Sequence, residues 1–582
     1  MQRRSLSSIR LTSKASAVWK DRSIFSSRRA FSRASPKYDG PTLLDQQRKG
    51  RFGGTVWTVV KYGSVLFVLG IYGLICVDLG MRKGIEVPPW RYADKAKMKR
   101  AVEALRQSLQ KLPNAPSDEE LNTMISVDEG DLQEHSFSDW STTNSHVKPV
   151  AVIYPRCTED VVAIAKVCSK YRVPMVPYGA GSSVEGSFSA PHSGFTIDFS
   201  LMDKIIEFNE DDMDVVVQPG VNWVNLNKTI ENAGLFLPLD PSPTALIGGM
   251  IATNCSGTNA MRYGTMKDWV INLTVVLADG TVVKTRRRPR KSSAGFDLTR
   301  LFVGSEGTLG FVTEATLKLA VLPKETGVAT CSFGSVKEAA AAAVRMMTEG
   351  IIGLAALEIM DEAQMQIINK NGGTLSKDGK TRRLWTEAPT LFMKFSGTKK
   401  TITDDVTRVV QIVERFKGST LEVATDALEK DAIWAARKEA LWAMLAQRDA
   451  GTEIWSTDVA VPLSRLAEII DISKKESSEL GLFNSVLGHV GDGNFHQSVM
   501  YHPSDEKETA KVAKCVSDMM DRALEMEGTV SGEHAIGIGK KKSLEKEVGQ
   551  ETIDLMRRVK LSMDPYWLMN PGKVFNHKRF ED

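Results

Sequence analysis

Two short stretches concentrate the groups that could bind a metal or move a proton. "GHVGDGNFH", residues 488–496, sets His489 and His496 among three glycines in a chain with only eight histidines in 582 residues. "SGEHAIG", residues 531–537, sets Glu533 beside His534. On a helix the two spaced histidines would share a face, but Gly488, Gly491 and Gly493 make a helix costly, at about 1 kcal/mol per glycine. A flat strand would point them in opposite directions. The turn former "GDGN" can instead fold the segment back, so that both imidazoles converge on one point. Two such histidines with the Glu533 carboxylate suit a divalent metal, zinc or manganese, and leave coordination positions for a substrate. His534 is then a proton acceptor for a hydroxyl whose acidity the metal has raised. Taken singly, each histidine fits a hydrogen-bonded core or surface residue equally well, and Glu533 with His534 also fits a turn cap.

A second kind of signal lies upstream. "VPYGAGSSVEG" places Gly179, Gly181 and Gly186 directly after an apolar strand pattern. Glycines there let the backbone approach a ligand and turn N–H groups toward phosphate oxygens. The spacing departs from GxGxxG at Val184, and a tight structural turn explains it as well. Two further stretches add to it: "DPSPTALIGGMIATNCSGTNAMRYGTMKDWV", residues 240–270, and "LFVGSEGTLGFVTEATLKL", residues 301–319.

In this order the three segments resemble flavoenzymes of the vanillyl-alcohol oxidase type, over roughly residues 145–580. The resemblance implies an α+β fold, with FAD between two subdomains and a ferredoxin-like substrate (cap) domain behind them. It implies pyrophosphate contacts at Gly179, Ala180, Gly181, Ser182 and Ser183. Other FAD contacts fall at Pro219, Gly248, Gly249, Ser256, Gly257, Tyr263, Gly264, Glu306, Gly307 and Val312, with Asn570 beside the flavin ring. Some members attach FAD covalently through histidine or cysteine. The one histidine near these motifs, His192, lies outside the matching loop, so the expected FAD is non-covalent.

The histidine segments are similar to the D-2-hydroxyacid dehydrogenase branch, and within it to mitochondrial members that oxidise D-lactate and reduce cytochrome c. Carried over, His489, His496 and Glu533 are metal ligands and His534 is the base. Arg437 in "IWAARKEALWAM" matches the arginine that pairs with the substrate carboxylate, where a planar fork suits bidentate binding; without the resemblance it reads as a surface helix residue. The implied reaction takes D-lactate to pyruvate by hydride transfer to FAD, with cytochrome c as acceptor. D-2-hydroxyglutarate oxidation on the same fold would need a further cationic or polar group for the second carboxylate. A metal-dependent hydrolase built on the same three ligands would leave the glycine segments unexplained.

The elements that must position these residues alternate between helix and strand. Residues 145–324 carry the FAD motifs, 325–545 a substrate domain holding the metal cluster, and 546–582 a tail that packs back on the first domain. Residues 78–144 read as a linker and helical lead-in broken by "PNAPSDEE". At 42% hydrophobic and 25% charged residues the chain is ordinary globular protein. Its six cysteines form no CxxC pair, which argues against a disulfide framework or an iron–sulfur motif. The net charge of +4 conceals an asymmetry: residues 1–51 hold thirteen Lys/Arg against three Asp, or +10, leaving −6 on the remainder. The Arg- and Ser-rich leader, residues 1–32, has the composition of a mitochondrial presequence. Residues 55–77 are long and apolar enough to span a bilayer, with Lys61 snorkelling. Arg48, Lys49 and Arg51 before the span predict an inner-membrane protein whose catalytic part faces the intermembrane space. With the basicity confined to the leader, nucleic acid is not an expected partner.

Overall fold

The computed structural model of the chain describes residues 91–138, 141–371, 373–375 and 381–577. The expected presequence and membrane span lie outside the described residues. Among those described, no helix is long and apolar enough to cross a membrane.

The first core begins earlier than the sequence pattern suggests. Helix α1 (Lys95–Leu109) starts at Asp94, whose side chain accepts from Lys97 N, and it turns Met98, Ala101, Leu105 and Leu109 inward at helical spacing. These residues share one cluster with Val161, Ile164 and Cys168 of α2, so the lead-in belongs to the first domain from Lys95 onward. The sheet beneath comprises β1 (Ile125–Ser126), β2 (Ala151–Ile153), β3 (Met175–Tyr178) and β4 (Phe195–Asp198), with α2 (Thr158–Tyr171) between β2 and β3. Its order is β1-β2-β4-β3, with β2, β3 and β4 parallel and β1 antiparallel at the edge. The strands "AVI" and "FTID" are buried at every position, as a covered parallel sheet requires.

A second sheet is antiparallel, from β5 (Ile205–Asn209), β6 (Asp214–Val217), β7 (Val270–Val276), β8 (Val282–Lys284) and β9 (Phe311–Lys318), in the order β5-β6-β9-β7-β8. Asp279-Gly280 forms the hairpin turn between β7 and β8. Helix α3 (Ile247–Thr253) packs against this sheet through Ile247, Met250 and Ile251.

From residue 325 the strand and helix succession builds one eight-stranded antiparallel sheet: β10 (Glu325–Ser332), β11 (Leu354–Met360), β12 (Thr390–Gly397), β13 (Glu422–Val423), β14 (Glu453–Ser456), β15 (Val459–Ala460), β16 (Asn484–His489) and β17 (Asn494–Tyr501). The path runs β13-β10-β12-β11-β16-β17-β14, and β15 pairs with β17. Helices α4 (Val336–Thr348), α5 (Lys399–Arg415), α7 (Leu466–Glu479) and α8 (Glu506–Glu525) share a core with Leu357, Ile359, Val486, Phe495 and Val499. Alternation sends Ala356, Met360 and Phe392 into a separate cluster with Trp434 of α6 (Ala427–Lys438). The chain closes with α9 (Gln550–Met563), after which Asn570 N donates to Met175 O (2.7 Å) and Met175 N to Leu568 O (2.7 Å). The tail therefore runs along β3, beside the glycine-rich loop.

Candidate active site

One cleft of about 1010 Å³ joins the glycine loops of the first domain to the histidines of the second. Its wall includes residues 179–183, Pro219, Gly248, Gly249, Gly257, Glu306, Gly307, Val312 and Asn570. It also includes Arg437, His489, His496, Glu533 and His534.

On the first-domain side glycines at 179, 181, 248, 249, 257, 307 and 310 share the wall with apolar side chains such as Phe188, Phe199 and Trp223. A Cβ on Gly248 would lie 2.7 Å from Pro219 Cβ, so only glycine lets α3 sit this close to that loop. A Cβ on Gly249 would meet nothing within 4 Å. Bare backbone thus faces the cleft there and along 179–183, a surface that fits a flat ring and a pyrophosphate. Three residues carried over for FAD are absent from the wall. Tyr263 packs edge-on against Phe236 and Trp269. Gly264 lies against Asp268, and Ser256 turns toward Glu533. Two that do line it spend their side chains internally. Glu306 accepts from Ile536 N, Gly537 N and Ser187 Oγ, at 2.8, 2.8 and 3.0 Å. Asn570 Nδ2 donates to Glu306 O at 2.7 Å.

On the other side the wall is built from titratable side chains. The 3₁₀ turn Val490–Asp492 folds the chain between β16 and β17 and leaves Gly493 at φ +75°. A Cβ there would lie 2.4 Å from Val461 O. Leu487 pairs with His496 and His489 with Asn494, and the period of two puts both imidazoles on the cleft face, as it does Glu358 of β11. His489 and His496 converge with ring centroids 5.4 Å apart.

The partners on the far side of each ring define what its nitrogens offer. His496 Nδ1 lies 3.0 Å from the Thr457 carbonyl, which only accepts, so Nδ1 carries the hydrogen. His489 Nδ1 lies 3.0 Å from Glu358 Oε1, again an acceptor. With Nδ1 committed in each ring, the two Nε2 atoms are the ones turned to the cleft, and they face Glu533 Oε1 at 3.1 and 3.3 Å. Three lone-pair-bearing atoms within 4.8 Å of one another repel unless a proton or a cation lies between them. This donor set, each histidine oriented by an outer acceptor, fits a divalent metal. Burial alone would lower the His489 pKa, yet Glu358 and Glu533 hold it well above its ordinary value. Burial likewise opposes ionisation of Glu533, but His489 and then His496 keep its carboxyl well below the usual range.

His534 stacks on His496, centroids 4.7 Å apart and planes 13° from parallel. Its Nδ1 is buried and has no hydrogen-bond partner among the described residues. Burial pushes this imidazole down to about 4, so at neutral pH it is unprotonated, a weak base with a free lone pair.

Two acids escaped the sequence reading. Asp458, fully buried between β14 and β15, accepts from Glu533 N at 2.9 Å and His534 N at 2.8 Å, and so holds the loop carrying both groups. Glu358 bridges His489 to Arg437, whose Nε and Nη2 reach Glu358 Oε2 at 2.9 and 2.8 Å. Glu358 thus takes the Nε/Nη2 edge of Arg437, while both Nη1 hydrogens and the second Nη2 hydrogen, the end-on fork, stay free of it. The signal for both acids was a lone charge set in an apolar strand pattern, "LAALEIM" and "STDVAVP".

Comparison with known proteins defines the class first. Residues 149–286 match the FAD binding domain family, and residues 322–574 the C-terminal domain of FAD linked oxidases. The 4-ethylphenol oxidase of Gulosibacter chungangensis shares the fold at a TM-score of 0.69, with 18% identity over 84% of this chain and 100% of that one. The molecule is a FAD-linked oxidoreductase with a two-domain α+β fold. The mitochondrial D-lactate dehydrogenase [cytochrome] of Kluyveromyces lactis is 41% identical over 86% of this chain and 85% of its own length. Its namesake in Arabidopsis thaliana is 48% identical over 73% of each. The chain belongs to this family, the mitochondrial D-lactate dehydrogenases (cytochrome).

Proposed function

We propose that the chain oxidises D-lactate to pyruvate with non-covalent FAD and a divalent metal, zinc or manganese, and delivers the electrons to cytochrome c. The observation that carries this reading is the convergence of two imidazole Nε2 atoms and one carboxylate oxygen beside a third histidine, on the wall of the cleft whose other side is rich in glycine.

Residues 179–183, Gly248 and Gly249 hold FAD, which when bound supplies the two-electron acceptor for the hydride of the substrate carbon. His489, His496 and Glu533 would hold the metal, which would supply Lewis acidity toward a hydroxyl and a carboxylate. The Nη1/Nη2 fork of Arg437 binds the substrate carboxylate while Glu358 keeps the guanidinium and His489 in place. His534, on the cleft wall, takes the hydroxyl proton, for which its low basicity would suffice once that hydroxyl is acidified. Asp458 keeps His534 at a constant position relative to Glu533, so proton acceptor and metal ligand move as one unit.

The choice of D-lactate rests on the family membership and on the apolar side chains Leu441, Trp442 and Leu487 in the cleft wall. Anaerobic addition of D-lactate, L-lactate or D-2-hydroxyglutarate to the oxidised protein tests it. D-lactate is expected to bleach the flavin band fastest; faster bleaching by D-2-hydroxyglutarate overturns the substrate assignment and leaves the site standing. Cytochrome c reduction under the same conditions tests the acceptor. The leader, the apolar run at 55–77 and the mitochondrial names of the relatives support an inner-membrane location facing the intermembrane space. Digestion of the catalytic part by protease added to intact mitoplasts is the expected result, and protection there contradicts that orientation.

A further inference from the structure

We propose that Ser256, in the FAD-binding domain, is a positioning residue for the metal-ligand carboxylate of Glu533; this rests on the metal reading above. The two oxygens of Glu533 have different surroundings. Oε1 faces the Nε2 atoms of His489 and His496. Oε2 accepts from Ser256 Oγ at 2.6 Å and, more weakly, from Gly257 N at 3.4 Å. A hydroxyl donating to a carboxylate at that separation is a charge-assisted bond at the short end of its range.

The division of labour follows from where each partner sits. Asp458 holds only the main-chain N–H of Glu533, at 2.9 Å, which fixes the loop and leaves the side-chain torsions free. Glu533 has three such torsions, and losing their freedom costs entropy at the moment a metal binds unless another group has already set them. Ser256 is the side chain that does so. It anchors Oε2 from the opposite wall and aims Oε1 alone at the metal position, making Glu533 a one-oxygen ligand. The residue thus contributes to the metal site through the domain that holds the flavin, without itself touching the cation.

The test compares the full-length wild-type chain with Ser256→Ala and Ser256→Thr. Affinity for Mn²⁺ and for Zn²⁺ is measured by chelator competition, with the flavin-to-protein ratio recorded on the same samples. Loss of an outer-shell partner typically weakens a metal by about 10- to 100-fold. Ser256→Ala is expected to bind both cations at least about tenfold more weakly at unchanged flavin content, and Ser256→Thr, which keeps the hydroxyl, to recover most of the loss. Wild-type affinity in Ser256→Ala overturns the inference alone. A variant that loses flavin and metal in equal measure also overturns it, since the residue then serves the domain's integrity. A wild-type protein that takes up neither cation overturns the metal reading and this inference with it.

Discussion

The two walls of the cleft are made by opposite strategies. The first-domain wall is glycine-rich: glycines at 179, 181, 248, 249 and 307 bring main-chain atoms to the surface among apolar side chains, and its two carboxylates, Glu306 and Asp240, are consumed by internal hydrogen bonds. The second-domain wall is side chain: His489, His496, Glu533, His534 and Arg437, each held by a buried partner. A large cofactor of fixed shape is recognised by surface that stays out of its way, whereas a metal and a proton acceptor need particular atoms held in place. Damage to one wall should therefore read out differently from damage to the other.

The largest effect is expected from His534→Ala, which removes the proton acceptor and leaves both binding walls intact. Its kcat should fall by about 10²- to 10⁴-fold with flavin and metal contents unchanged. A variant within a few-fold of wild type would place the proton elsewhere. Next, Gly248→Val should yield protein largely free of flavin, because the added Cβ meets Pro219 at 2.7 Å, yet able to bind Mn²⁺. Absorbance ratios and metal titration on one sample decide whether the walls fail separately. Glu358→Gln, which weakens the outer partner of His489, should lower metal affinity by about 10- to 100-fold and raise the KM for D-lactate through Arg437. If only kcat changes, Glu358 does not orient the arginine.

The smallest effect concerns support of the backbone wall. Lys573 Nζ donates to Asn570 Oδ1 at 3.0 Å and Ser189 O at 2.5 Å, and burial pushes its pKa down to about 7. An unfolded lysine keeps its proton to about 10.4. Between these values the unfolded chain binds more protons than the folded one, so the contribution of Lys573 to stability rises with pH. The melting temperature of wild type minus that of Lys573→Met should therefore increase from pH 7 to pH 9, and a flat difference contradicts the depressed pKa.

The two walls also differ in how legible they were. Histidine is scarce in this chain, so a pair of histidines around a turn former and a Glu-His pair stood out by residue type alone. The fold back through "GDGN" then followed from the cost of a helix. The glycine wall was ambiguous, because glycine serves any tight turn, and only the order of three segments gave it meaning. Ser256 was assigned to flavin for the same reason: a small residue in a glycine-rich run does not reveal whether its main chain or its hydroxyl is used. Glu358 and Asp458 were missed because an acid is placed by the sheet pairings that bury it, and those are made with strands distant in sequence. The start of the first domain was misplaced for a related cause. "PNAPSDEE" does break the chain, but the apolar face of α1 had already committed that helix to the core on the far side of the break.

The most direct test of the two-wall arrangement is chelation of the purified, oxidised full-length protein, followed by anaerobic D-lactate. The flavin absorbance is expected to survive chelation unchanged, its bleaching by D-lactate to stop, and bleaching to return on adding Zn²⁺ or Mn²⁺. Undiminished bleaching after complete removal of the metal would contradict the assignment of His489, His496 and Glu533 as the centre that prepares the substrate.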